Sequence, residues 1–468
     1  MNIRNILIII FAVPLIIRPA VADSAEVLSL GEAIRLSLEY NNQYKIAREK
    51  VRESRLKIRE SWGRLWPDIS TDASMTRFGA DKGIMAFSYG QYEVNFVKCS
   101  LSINPGVFYN SLRESQDRHI MSVEDERRIK LDTSVTAIRL FYKILLTGEL
   151  IKMRMDSIKA LEENLRVVTV GYKTGTYTRL DFLRAKVSVA NEKTRLINAQ
   201  NENLSANAEL NIHMGRDIDS PLELDRRTLA RATTEEEFIT KWSDEERKGR
   251  LTSMIADALK NRPELIQIKY KKKAETHNAL AQESLYLWPT IFANGNYGMT
   301  RVIEKKVNMY TPDMSANFAL YDIGKILEPS GWNKGWTFTI GAVYRWGGLV
   351  PFDPAHARAD QARSRSKQTD YELDDFIRNV RLDIQQGMLK LISASSAILS
   401  QKDNIASAEE SLRVAALEFK NGMIDNTKFL DANVELSNAK TLYIQALYDL
   451  QTSKAELNRS VGYNYFNF

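Results

Sequence analysis

The 468-residue chain holds one cysteine, Cys99, and four histidines. A disulfide framework is excluded, and so is a cysteine metal cluster. His119, His213, His277 and His356 are scattered, with no HExxH or other close pair, which leaves metal-dependent hydrolysis without ligands. There is no GxxxxGK[ST] loop to cradle a phosphate and no GxSxG elbow to present a serine. Neither enzyme nor cofactor chemistry is expected, and any energy must come from a partner. Charge of one sign is scarce as well: 65 basic against 59 acidic residues leave +6. Along REKVRESRLKIRES (48–61) the signs alternate as on a solvated helix face, so no nucleic-acid partner is expected.

Long apolar runs are confined to the start. MNIRNILIIIFAVPLIIRPAVADSAE carries Arg4, an apolar run from Ile6 to Ile17, and small residues Ala20 and Ala22 before Asp23. This predicts a signal peptide over residues 1–22, too short to span a bilayer and broken by Pro14, Arg18 and Pro19. The only cysteine is far from the cleavage point, so no N-terminal lipid anchor is expected. Beyond the leader no stretch of about 18 apolar residues marks a transmembrane helix. Export leaves the periplasm, the outer membrane or the exterior.

What is present is a duplication. Shifted by 247 positions, Tyr172 to Gly215 lies on Phe419 to Gly462 without a gap, and 16 of 44 positions are identical. The pairs include Gly175/Gly422, Phe182/Phe429, Ala185/Ala432, Leu210/Leu457 and Gly215/Gly462. A weaker echo precedes each copy: LSLGEAIRLSLEYNNQYK, ending at Leu65-Trp66-Pro67, answers LTSMIADALKNRPEL, ending at Leu287-Trp288-Pro289. Internal repeats decide the architecture before any motif does.

From Gly106 to Tyr172 there is no proline, and apolar residues recur at steps of three and four, the mark of one helical stripe. About 66 residues of helix would measure ~100 Å, and the stretch from Asp353 to Phe419 repeats it. After each tip glycine a seven-residue period runs through Phe429, Leu436, Tyr443, Leu450 and Leu457, and through Phe182, Val189, Leu196, Asn203 and Leu210. It predicts left-handed coiled packing. Two shorter helices per repeat, about 30–66 with 180–215 and about 253–288 with 427–462, sum to the length of the long one. Each repeat is thus expected to set one long helix against two short ones placed end to end.

Trp66-Pro67 and Trp288-Pro289 end the first short helices. The following residues alternate, most clearly Trp336, Phe338, Ile340, Ala342, Tyr344 and Trp346 with Thr337, Thr339, Gly341 and Arg345 between. Period two with aromatics at both ends of an apolar face is the pattern of a membrane β-barrel strand. Strands are expected at about 68–78, 89–103, 290–300 and 335–347, with a long loop at 301–334. Four strands cannot close a barrel, and open edges cannot be left in lipid, so several chains must share one. The fold class is mainly α with β: a helical coiled barrel continued by a transmembrane β-barrel shared between chains. Residues 23–215 and 251–468 form the two repeats, joined by a charged equatorial connector at 216–250.

On the duplicated glycine-to-glycine block, the opening LSLGEAIRLSLEYNNQ with its partner ADALKNRPEL, and the strand entry after Trp-Pro, the chain resembles the TolC-like outer-membrane efflux proteins. The resemblance implies a homotrimer with a twelve-stranded barrel in outer-membrane lipid and a helical tunnel across the periplasm. An inner-membrane transporter and a periplasmic adaptor would dock at its inner end, in an efflux or type I secretion system. It places Tyr172, Gly175, Phe419 and Gly422 at the periplasmic tips where the adaptor touches. Asp181 matches a linking aspartate and Asp431 a ring aspartate of the gate; Lys428 occupies the other ring position, and Ile424 stands where some relatives carry a linking arginine. The expectation is a passive exit duct opened at its tips. The rival expectation is a soluble periplasmic coiled-coil scaffold or adaptor.

Overall fold

A computed structural model describes residues 27–80, 85–226, 242–309, 331–344, 346 and 352–463. The signal-peptide expectation, residues 227–241 of the connector and residues 310–330 of the long loop lie outside them.

Two helices open the described chain, α1 (Leu30–Tyr40) and α2 (Asn42–Gly63). A hairpin follows, β1 (Asp68–Ala80) and β2 (Met85–Ile103), then the 70-residue α3 (Pro105–Thr174) and α4 (Arg179–His213). The second half repeats the order: α5 (Asp244–Asn261), α6 (Pro263–Leu287), β3 (Thr290–Met309), β4 (Asn333–Val343), α7 (Pro354–Lys420) and α8 (Asn426–Val461). Pro105, Pro263 and Pro354 each stand in the first turn of a helix, where their missing N–H costs nothing.

The single short helix expected over 30–66 is broken at Asn41, whose ψ of 126° is extended, and Arg262 (ψ 121°) breaks its counterpart in the same way. α4 therefore meets the start of α2 and not that of α1. Gly215 sits with φ 69° against Tyr40, where an added Cβ would lie 2.7 Å from the Tyr40 Cβ. Gly462 (φ 90°) is as close to the backbone of Asn261 and Arg262. Each duplicated block thus ends on a glycine nested in the break of the helix above it. By rise per residue α3 measures ~105 Å, α2 with α4 ~86 Å, and α6 with α8 ~92 Å.

The strands form one antiparallel sheet in the order β1-β2-β3-β4. Several limits differ from the sequence expectation: β1 and β2 run on into the hairpin, β3 continues to Met309, and β4 stops at Val343, so Tyr344 and Trp346 lie past its end. Backbone pairing with a neighbour carries a strand beyond its alternating side chains, as in Met85↔Met309 and Tyr89↔Lys305. Each strand continues into a helix, and the helices stand in the same order as the strands: α2, α3, α6, α7. α3 packs on α2 and α4 to one side and on α6 and α8 to the other, while α7 packs on α6 and α8.

The main core gathers where the two repeats meet. It includes Leu30, Ile138, Phe141 and Leu145 from the first half, and Ile384, Leu391, Leu450 and Leu457 from the second. Leu28 pairs with Leu224, which brings the start of the connector to the same level. Among the described residues, no helix is long and apolar enough to cross a membrane.

Candidate functional site

The sheet register sorts side chains onto two faces. Trp336, Phe338 and Ile340 of β4 align with Tyr297, Gly295 and Ala293 of β3, then with Val97, Cys99 and Leu101 of β2, and Cys99 with Ile69 of β1. The opposite face carries Thr337 and Thr339, Asn296 and Asn294, Lys98 and Ser100, and Ser70. On the polar face Asn95 donates to Asp72 (3.1 Å) and Glu93 (3.0 Å), and Thr337 bonds Asn296. The apolar face is bare: Trp336 is 75 % and Phe338 62 % exposed. From Ile291 to Met299 the apolar side of β3 runs for ~27 Å along the strand, comparable to the apolar band of an outer-membrane barrel before tilt is counted. Trp66 and Trp288, exposed below the first strand of each repeat, stand where barrels carry an aromatic girdle.

At the other end of the helices the sequence dictates two tight reversals. Gly175 (φ 84°) closes α3, and the N–H of Thr176 bonds the Gly171 carbonyl at 2.8 Å. Gly422 (φ 72°) follows α7, and the N–H of Met423 bonds the Glu418 carbonyl at 2.9 Å. These bonds satisfy helix-end carbonyls through a left-handed residue, which glycine adopts without cost from a Cβ. Tyr172 stacks on Phe182 and Phe419 on Phe429, both with centroids 5.6 Å apart. The four residues expected at the tips thus lie at the reversals.

The three expected gate residues differ in their surroundings. Asp181 closes a capping box: its Oδ2 accepts from the Thr178 N–H at 3.0 Å and from its hydroxyl at 2.7 Å, and Thr178 Oγ1 accepts from the Asp181 N–H. Lys428 occupies the equivalent third position of α8, where Asp425 caps its N–H at 3.1 Å, and its side chain is exposed. Asp431 is exposed one turn further on. Asp181 touches the second coil through its backbone, its carbonyl accepting from Asn426 at 3.4 Å.

Sequence reading passed over the residues that join the two coils. Tyr177, which stands where the other repeat has Ile424, stacks on Phe419 at 5.6 Å. Its ring fills the space over Gly171, where a Cβ would meet it at 2.1 Å. Arg154, buried with Glu192, donates to it at 2.9 Å and reaches Ser437 and Thr441 of α8. The duplication carried a signal for both: Gln401 stands at the place of Arg154 and Ile424 at that of Tyr177, so each is a departure from two-fold symmetry.

Comparison with known proteins adds four findings. The model of the outer membrane efflux protein family matches residues 338–463. The toluene efflux pump outer membrane protein TtgC of Pseudomonas putida is 21% identical over 453 residues, covering 93% of this chain and 83% of that protein. The structure of the outer-membrane channel OprN superposes with a TM-score of 0.71 at 14% identity, over 92% of this chain and 89% of that one. That of the Campylobacter jejuni CmeC outer membrane channel gives 0.68 at 13%, over 94% and 87%. A sheet of one bare apolar face running into a duplicated helical hairpin is the fold this chain shares with these outer-membrane channels, and the match to the outer membrane efflux protein family lies on the second copy of that unit.

Proposed function

We propose that the chain is one subunit of a passive homotrimeric exit duct, the outer-membrane component of a tripartite efflux pump. The observation that carries it is the coincidence of open edges. In the sheet β1 and β4 have no outer neighbour among the described residues. In the helical row the same two ends are bare: α4 exposes Leu180, Leu183, Val187, Ile197 and Leu204, and α7 exposes Leu382, Leu389, Val414 and Leu417. One neighbouring copy on each side would pair the strand edges and cover both apolar seams together. Three chains of four strands make twelve, enough for a closed barrel.

The cargo passes without chemistry. In this reading the periplasmic adaptor, carrying an inner-membrane transporter, docks at Tyr172, Gly175, Phe419 and Gly422, and Lys428 with Asp431 lines a mixed ring at the entrance. Efflux is favoured over polypeptide secretion by the names of the relatives. The soluble-scaffold reading is disfavoured by the bare Trp336–Phe338–Ile340 face, which water would not tolerate at that extent.

The test is extraction from the outer-membrane fraction followed by mass measurement in detergent and conductance in planar bilayers. Trimers that conduct support the duct. A monomer that stays in buffer without detergent would establish the scaffold instead. Crosslinking of the adaptor at 172–179 and 419–426 checks the docking tips.

A further inference from the structure

Below the main core the helical bundle has a second, separate apolar cluster at the tips. It takes Leu161 and Val168 from α3, Val189 from α4, Phe419 from α7, and Phe429 and Leu430 from α8. On α3 the main core ends at Leu146. Between them lies a polar layer: Arg154 with Glu192, Ser437 and Thr441, and Asn433 donating to Ser157 at 3.2 Å. Beside this layer α3, α7 and α8 leave a groove of about 630 Å³.

The two clusters and the layer differ mechanically. Interdigitated apolar side chains resist sliding, because any shift opens voids. A long arginine among hydroxyls can exchange partners while staying hydrogen-bonded, and the groove gives the helices room to tilt. The tip cluster, by contrast, holds both coils of the protomer together. Tyr177 stacks on Phe419, Asn164 donates to Asn426 at 2.9 Å, and Arg184 donates to Thr427 at 2.7 Å. Parting the coils inside one protomer would expose this aromatic cluster to water.

We propose that the Arg154–Glu192 layer is the pivot of the gate: in each protomer both coils of the tip tilt about it as one body, and the passage opens between protomers. Arg154 and Glu192 are then positioning residues, far from any cargo. The inference rests on the duct reading and deepens it.

Two variants test it in the full-length trimer. Asn164→Cys with Asn426→Cys, in a Cys99→Ala background, lets a short bis-maleimide link the two coils of one protomer. The fraction of time in the widest conductance state is expected to be the same with or without the link; closure on linking would overturn the proposal. Arg154→Met with Glu192→Met replaces the buried pair by apolar side chains, a change that need not destabilise the fold and should stiffen the layer. It is expected to lower the open fraction about tenfold with the thermal midpoint kept or raised; an unchanged open fraction would overturn the pivot. Hydrogen exchange on the unmodified trimer serves if either variant fails to assemble. Amides of 150–158 are expected to exchange faster than those of 161–168 on the same helix, and the reverse order rejects the layer as the yielding element. If the unmodified trimer never conducts, the duct reading itself fails and takes this inference with it.

Discussion

Asn41 joins two helices through His213. Its amide nitrogen lies 3.2 Å from the His213 Nδ1 and donates to the His213 carbonyl at 3.3 Å, while its oxygen accepts from the N–H groups of Gln43 and Tyr44. One side chain therefore caps the end of α4 and the start of α2. His213 Nε2 stands 2.9 Å from the Thr133 carbonyl, which can only accept, so that nitrogen carries the proton and Nδ1 is the acceptor.

This geometry makes the junction sensitive to acid. Burial lowers the His213 pKa below the ordinary histidine value of 6.5, outweighing the opposite pull of the Thr133 carbonyl. His119, between α3 and α2, is lowered in the same direction by burial and by Arg55. A base with a lower pKa in the folded state binds protons on unfolding, so stability is complete above the ordinary value and falls as pH drops below it. Protonated His213 would also turn an N–H toward the donating amide of Asn41. The thermal midpoint is expected to decline from about pH 7 to about pH 5, and His213→Gln to flatten that decline. Asn41→Ala should cost about 1–2 kcal/mol at neutral pH.

The four left-handed glycines among the described residues are not equivalent. Gly175 and Gly422 have open space where a Cβ would go, whereas Gly215 and Gly462 face Tyr40 and the Asn261–Arg262 backbone. Alanine at the tips should cost about 1 kcal/mol of backbone strain. At Gly215 or Gly462 the clash adds to that strain, and a loss of roughly 3 kcal/mol or more is expected. Thermal midpoints of the four single variants check the order.

Asp181 and the pair Lys428 and Asp431 should separate by readout. Asp181→Ala removes half of a capping box and is expected to cost about 1 kcal/mol, seen as faster hydrogen exchange over 178–184. If Lys428 and Asp431 line the entrance, Lys428→Glu should raise cation over anion selectivity and Asp431→Lys lower it. Selectivity unmoved by either change would remove both from the pore.

Charge on the sheet should be tolerated on one face only. Phe338→Arg is expected to cost about 2–4 kcal/mol and to reduce outer-membrane assembly, because the apolar face would carry it into hydrocarbon. Thr339→Arg, next along β4 on the polar face, should assemble as the parent does. Equal assembly of the two variants would place the sheet in water.

The long helices were legible because nothing in Gly106–Tyr172 interrupts a three-four apolar stripe, and the strands because Trp336–Ala342 alternates. The break at Asn41 was not. An asparagine followed by Asn42 reads equally as helix surface, and only the arrival of His213 and Gly215, more than 170 positions away in sequence, makes it a cap. The strand ends were misplaced for a similar reason: the ladder that extends β2 to Met85 is written in β3.

The chain by itself determined its duplication, its glycine reversals, the two periods of its apolar residues and the shortage of strands in one copy, since each follows from local sterics or simple counting. Only the tertiary structure decided that Asn426 reaches the Asp181 carbonyl, that Tyr177 ties the coils together, and that Arg154 divides two apolar clusters. Those outcomes depend on which side chain of one helix comes within a few ångströms of another, and the spacing of residues along a single helix carries no record of its neighbour.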